Sequence, residues 1–382
     1  MAKSMRSAGK PILLIDPDPE HALLNEMNKT GVIVLEGAVN QFSTLQLGQI
    51  MKANTLVIMT DNDLINLSVL ESIIDSQLNP TLTCYIAIEN VFNHKLFEAG
   101  AFYAIDNVKV TSPGLALTRF NVNELAAIDV TKNLAANLDL TVTEDSSKQS
   151  LLSVLMCGFD AVGQSVLREL LLTGNFSTLL SSRIRVIADN EQIQAFFSAH
   201  HLVWLHSKEA GLNLWDIEFI PADEAELHPS NFHHIYSCYE EENRAVASIL
   251  KFFELSTNER VLSTRNQPSF HYFTSNNYNI RHPHIRAFGD VASLVSYEQL
   301  ILEAREQSAK RVHYAYTRSR LGLNNLSIDA QLDLHDKSEP NVNAWLKWGN
   351  QPLIKRRSNL VVMRSQAIKL KSLGGCFLVR PV

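Results

Sequence analysis

The stretch that most constrains this chain is Leu151–Asn190, which opens LLSVLMCGFDAVGQSVLRELLLTGNF and closes SSRIRVIADN. An apolar run, Leu151–Cys157, stops at Gly158. Val162, Val166, Leu167, Leu170 and Leu171 then recur at helical spacing beyond Gly163. A second apolar run, Ile184–Ala188, ends on Asp189. Short continuous apolar runs are the mark of strands buried on both faces, as in a parallel sheet. The order strand, glycine turn, helix, strand, acid is that of a βαβ unit.

A G-x-G-x-x-G turn would place glycines at 158, 160 and 163, and position 160 is Asp160. The middle glycine lets a backbone approach a pyrophosphate closely. A carboxylate there repels one, and Asp160 is expected to take the anion site at the helix N-terminus itself. Asp189 stands where a ribose-binding acid belongs, about 20 residues beyond such a turn. It can equally cap the helix that follows. Gly158 and Gly163 can serve a ligand or only the tight turn and close helix packing. In an open parallel sheet ligands sit outside the carboxyl ends of the strands. The candidate nucleotide-binding residues are therefore Gly158, Phe159, Asp160, Gly163, Asp189, Asn190 and Cys238.

The rest of the chain repeats this alternation. Strands are expected at Pro11–Ile15, Gly31–Leu35, Thr55–Met59, Thr81–Ile88 and Ala101–Ile105. Helices are expected after PDPE, at Leu45–Met51, Leu64–Ile74 and Phe92–Glu98. Leu115–Leu140 carries helical spacing from Val122 onward, and the polar TVTEDSSKQ, Thr141–Gln149, reads as a linker. Beyond Asp189 a helix is expected at Glu191–His200. Strands follow at Leu202–His206, Trp215–Ile220, His233–Cys238, Arg260–Ser263 and Ile285–Phe288, with a helix at Arg244–Leu255. Strands alternating with helices give an α/β fold of two Rossmann-like parallel-sheet domains. The limits are 1–140, a linker at 141–150, and 151–295. From Ser296 the chain turns to charged helical sequence, a mainly α-helical domain over 296–382.

ILLIDPDPE, VIVLEGAVN, TLVIMTDNDLINLSVLESI and LFEAGAFYAI resemble the TrkA-N, or potassium-conductance-regulator (RCK), nucleotide-binding domain, over about Pro11–Ile105. In that family a first strand and Gly-rich turn precede the segment matched by ILLID. Only Met1–Lys10 precede it here, so this copy is expected to lack the phosphate-binding half-unit: the domain is degenerate, the chain given is truncated, or another segment completes the sheet. Asp16, without a glycine partner, is not expected to hold a nucleotide in the family manner.

The C-terminal segment resembles the bacterial ryanodine-receptor (RyR) repeat. The residues are Ala309-Lys310-Arg311-Val312-His313-Tyr314-Ala315-Tyr316, Trp345-Leu346, Arg357-Ser358-Asn359 and Lys369-Leu370 with Gly374. This likeness implies that His313, Tyr316, Arg357 and Asn359 lie on two facing helices and form one wall of a small polar ligand pocket or an interdomain seam.

Other chemistries are not written in the chain. A net charge of −6 offers no field for nucleic acid. No apolar stretch reaches the roughly 20 residues of a membrane helix, so direct insertion is not expected. Cys84, Cys157, Cys238 and Cys376 are scattered and read as reduced thiols of a cytoplasmic protein. His200-His201, His233-His234 and His282-Pro283-His284 lack the spacing of metal ligands, and no metal site is read. No nucleophile elbow, Walker loop or H-E-x-x-H stands in the sequence. The expectation is a non-enzymatic cytoplasmic sensor gated by NAD or another adenine nucleotide. The resemblances imply homodimers and a transport or signalling effector, potassium transport among the choices. The alternatives are an NAD(P)-dependent oxidoreductase and a ligand-free assembly scaffold.

Overall fold

The computed structural model describes residues 1–18, 22–74, 82–89, 116–132, 134, 152–173, 182–194, 196, 215–221, 228–260, 268–276 and 280–301. Two compact units are present. The first comprises Met1–Leu125 with Val291–Leu302, and the described part of the second lies within Ala126–Asp290. The fold class is the expected one, mixed α/β with parallel sheets.

The first unit opens with α1 (Ala2–Ser7), then β1 (Leu13–Asp16), α2 (Ala22–Lys29), β2 (Ile33–Glu36) and α3 (Phe42–Leu47). It continues with β3 (Thr55–Ile58), α4 (Asp63–Ile74), β4 (Thr83–Ala87) and β5 (Ala116–Phe120). β1 pairs with β2, and β3, β4 and β5 form a separate ladder in that order, all parallel. Its core gathers Leu70, Ile73, Leu82, Ile86 and Ile88 from α4 and β4 and their flanks. Two buried asparagines tie the carboxyl ends of the ladder. Asn66 donates its side-chain amide to the carbonyls of Thr60 and Ala87, at 3.3 and 3.0 Å. Asn121 donates to those of Ile88 and Glu89. A π-helical turn, Tyr297–Ile301, donates its first N–H to the Ser4 hydroxyl of α1.

Helix α5 (Val122–Thr131) begins at the end of the first unit. In the second, β6 (Ser153–Cys157) leads through the glycine turn into α6 (Ala161–Thr173) and β7 (Ser182–Ile187). A helical stretch covers 190–194. β8 (Trp215–Ile220), β9 (His234–Ser237), α7 (Glu242–Arg260), β10 (Ser269–Phe273) and β11 (Ile285–Phe288) follow. The six strands are parallel in the order β8-β7-β6-β9-β10-β11. This is the doubly wound order, reversing direction between β6 and β9. Every residue of β6 is buried, as its apolar run requires. Against one face α7 lays Ala245 and Ile249 onto Leu155, Cys157, Ile235, Phe270 and Tyr272.

One expectation is corrected here. The strand expected at Arg260–Ser263 does not begin there, because Arg260 closes the 19-residue helix α7. The strand of this region is β10, whose SFHYF is aromatic and carries a buried His271. The helical spacing read from Val122 onward is α5, and the strand β5 that pairs with β4 ahead of it was not expected. Arg119 sits in that strand with its side chain 4% exposed, paired to Glu124 at 3.4 Å. The segments expected at Phe92–Glu98, Ala101–Ile105, Thr141–Gln149 and Leu202–His206 lie outside the described residues, as do His313, Tyr316, Arg357 and Asn359.

Candidate functional site

The reversal between β6 and β9 parts the turns that follow those strands, and a crevice of this kind is where doubly wound folds hold ligands. Three turns converge there in the second unit, after β6, β7 and β9.

Gly158 has φ +85°, a conformation that costs an L side chain about 1–2 kcal/mol. A Cβ at Gly158 would stand 2.7 Å from the ring of Tyr239. One at Gly163 would stand 2.7 Å from the Gly158 carbonyl oxygen and 3.2 Å from the Cys238 Cβ. Both glycines are thus required by contacts inside the protein. Phe159 is fully buried, edge-on to Phe196 and Phe219 with centroids 5.1 and 5.4 Å away. Cys238 is fully buried too. Neither side chain is exposed to a ligand, and both serve the packing beneath the turns.

The acid at the middle-glycine position is held on both oxygens. Asp160 Oδ1 accepts from the Gln192 amide at 2.6 Å, and Oδ2 accepts from the Glu240 backbone N–H at 3.1 Å. The expectation that Asp160 would take the free N–H groups of α6 is corrected. The carboxylate at the helix opening is that of Glu240, whose Oε1 accepts from the Ala161 N–H at 3.3 Å. The turns after β6 and β9 therefore hold each other reciprocally. Gln192 extends the link, since its Oε1 accepts from the Asp189 N–H at 3.4 Å. Asp189 and Asn190 are exposed, and the Asp189 carbonyl accepts from Ile193 in the first turn of the next helix. Beside the crevice the Arg244 guanidinium lies 4.1 Å over the half-buried Tyr239 ring. Burial raises the Tyr239 phenol, the Cys157 thiol adds to this, and Arg244 opposes it.

Four carboxylates thus mark these turns, Asp160, Asp189, Glu240 and Glu241. The arrangement opposes a pyrophosphate at the α6 opening and leaves Asp189 facing solvent, able to accept hydrogen bonds from ribose hydroxyls. Sequence reasoning marked Cys238 at the end of this strand but not the parts played by Glu240, Gln192, Tyr239 and Arg244. Tyr239 and Glu240 had a visible signal, a place just beyond the apolar run that holds β9.

Buried titratable groups elsewhere are held neutral. Cys84 and Cys157 are both pushed up to about 12 by burial, and burial raises Cys238 as well, so none behaves as a nucleophile. His234, Tyr236 and His271 stack in one row across β9 and β10, with centroids 5.7 Å apart between the two histidines. Burial lowers His234 to about 4 and His271 well below its ordinary value. Among the described residues no group of three His, Cys, Asp or Glu side chains could hold a metal ion. Nor is any helix among them long and apolar enough to cross a membrane.

In the first unit β1 leads into Asp16, whose carboxylate accepts from the Asp18 N–H at 2.9 Å in a local turn. With that order of parallel strands and helices in place, sequence comparison bears on its first part. Residues 1–107 match the TrkA-N domain. The TrkA-N segment thus takes in α1, the β1–β2 pair, and β3 with β4. No curated protein matches the chain. Among solved structures, the PH0520 protein from Pyrococcus horikoshii OT3 is similar at 12% identity, covering 77% of this chain and 87% of that one. Its TM-score is 0.25, which carries no argument about the fold or the site.

Proposed function

We propose that this chain is a non-enzymatic nucleotide-sensing regulator. In this reading a TrkA-N-like domain at 1–140 and a second Rossmann-like domain at 151–295 are followed by an RyR-like module at 296–382. The ligand is an adenine nucleotide, NAD or a relative, and the output is control of a transport or signalling effector, potassium transport included. The protein works as a cytoplasmic homodimer. The observation that carries the reading is the reversal between β6 and β9 with exposed Asp189 beside a helix opening already taken by Glu240. Such a crevice favours the nucleoside part of a ligand and disfavours its phosphates. Gly158, Phe159, Asp160, Gly163, Asn190 and Cys238 then shape the floor by backbone and packing. His313, Tyr316, Arg357 and Asn359 serve a second ligand contact in the RyR-like module.

The test is a thermal-shift panel of adenosine, ADP-ribose, NAD and ATP, run beside NAD(P)H absorbance with a substrate panel. A shift with an adenine ligand, lost in Asp189→Ala and unaccompanied by turnover, is expected. Turnover would favour the oxidoreductase reading. The scaffold reading is favoured by one observation, that the glycines and the Ala161 N–H are satisfied within the protein. It predicts neither shift nor turnover.

A further inference from the structure

Three features of the second unit deny a phosphate the ordinary place over the α6 opening. Asp160 stands at the middle-glycine position. Glu240 takes the Ala161 N–H at 3.3 Å. The Tyr239 ring covers Gly158, since a Cβ there would stand 2.7, 2.9 and 2.9 Å from three of its carbons. A phosphate pressed onto this turn meets two carboxylates and an aromatic ring.

The same turns carry one cation. Among the described residues 158–161, 188–192 and 238–244, Arg244 is the only basic side chain. It is exposed and lies in the first turn of α7. Three glutamates precede it, yet two of them are engaged elsewhere. Glu240 Oε1 holds the Ala161 N–H, and Glu242 Oε1 accepts from the Thr274 hydroxyl and from the Asn276 amide at 3.0 Å. Arg244 is placed instead by stacking, its guanidinium 4.1 Å over the Tyr239 ring. A guanidinium stacked by its face keeps its edge, where the N–H donors lie, for a planar anion. That edge matches a phosphate bidentately. Asp189 is within electrostatic reach of the same ring. Burial and then Cys157 raise the Tyr239 phenol, Arg244 opposes them, and Asp189 adds to the rise.

Resting on the reading that this crevice takes an adenine nucleotide, we propose that Arg244 is its phosphate-binding residue. The ribose lies at Asp189, and the 5′-phosphate is carried past Tyr239 to the α7 side, away from α6. The site thus reads a 5′-phosphorylated adenosine with an acid at one end and a guanidinium at the other.

The experiment is titration calorimetry of adenosine and adenosine 5′-monophosphate on the full chain and on its Arg244→Gln and Arg244→Lys variants. Arg244→Gln should weaken the monophosphate by about fivefold and leave adenosine unchanged, and added salt should shrink that loss. Arg244→Lys keeps the charge without the fork and should recover part of it. Adenosine binding together with a monophosphate unmoved by Arg244→Gln would overturn this assignment alone. Equal losses of both ligands would overturn it too, because Arg244 would then only support Tyr239. Inorganic phosphate held as tightly as the monophosphate would make Arg244 a general anion site and refute the nucleotide assignment. Binding of neither adenosine nor the monophosphate to the unaltered chain would overturn the crevice reading itself, and this assignment with it.

Discussion

Glu240→Gln tests the crevice most directly. In the structure Glu240 Oε1 takes the Ala161 N–H at 3.3 Å, the group a ligand phosphate would need. A phosphate oxygen sharing that N–H stands roughly 4 Å from the carboxylate, and the repulsion is about 4 kcal/mol at an effective dielectric near 20 and about 1 kcal/mol in bulk water. Glu240 is exposed, so the lower part of that range applies. Removing the charge while keeping the shape should therefore strengthen ADP-ribose binding by about fivefold, with an upper bound near a thousandfold. Adenosine, which carries no phosphate, should be unaffected. Asp160→Gly alone should do less, because Glu240 remains on the helix. It also frees the Gln192 amide and the Glu240 N–H, both of which Asp160 now holds. Titration calorimetry of adenosine, ADP-ribose and NAD on the unaltered chain, each variant and the double variant separates these effects. Added salt should shrink the gain in Glu240→Gln. Tight NAD binding by the unaltered chain that weakens in Glu240→Gln would refute the reasoning, because Glu240 would then be a ligand contact.

Other outcomes follow from the same geometry. Gly158→Ala should destabilise the second unit by about 2–4 kcal/mol through its positive φ and the Tyr239 ring, lowering the melting temperature by about 5–15 °C. Adding Tyr239→Ala should recover the part due to the ring, and an unchanged melting temperature in the single variant would show that the turn rearranges freely. The buried histidines make stability depend on pH. Their folded pKa values lie below the unfolded value near 6.5, so the neutral form belongs to the fold. Their contribution is intact above 6.5 and is lost as pH falls toward the folded values, by about 3 kcal/mol at pH 4 for His234. Urea unfolding at pH 7.5 and 5 should show this loss, and an equal loss in a His234→Gln, His271→Gln variant would assign it elsewhere. Asn66→Ala should cost the first unit about 2 kcal/mol, since it strands the carbonyls of Thr60 and Ala87. A change in the urea midpoint worth under about 0.5 kcal/mol would mean that water replaces the amide.

Most of the parallel framework was legible in the sequence, because a strand buried on both faces is largely apolar along its length. SVLMC, SRIRVI and HIYS all lie where such runs end at a glycine, an acid or a cysteine. β5 and β10 escaped notice because tertiary contacts satisfy residues that look foreign to a core strand. Arg119 is neutralised by Glu124, and His271 is shielded by Tyr236 and His234. Within the site the turn positions could be read from spacing. The exchange between Asp160 and Glu240 could not, since it depends on two turns meeting across the sheet. The sequence could place carboxylates at 160 and 240 without saying which one reaches the Ala161 N–H.

That same exchange joins residues 80 positions apart. The central strand β6 gains β7 as one neighbour early, but its other neighbour, β9, lies beyond β8 in the chain. At a synthesis rate of roughly 5–20 residues per second, β6 waits about 4–16 seconds with one edge open. During that interval an apolar edge is exposed to other chains, and parallel pairing over such separations is slow even once the residues are made. The feature that closes the crevice in the finished protein therefore also sets the time for which the nascent chain needs shielding.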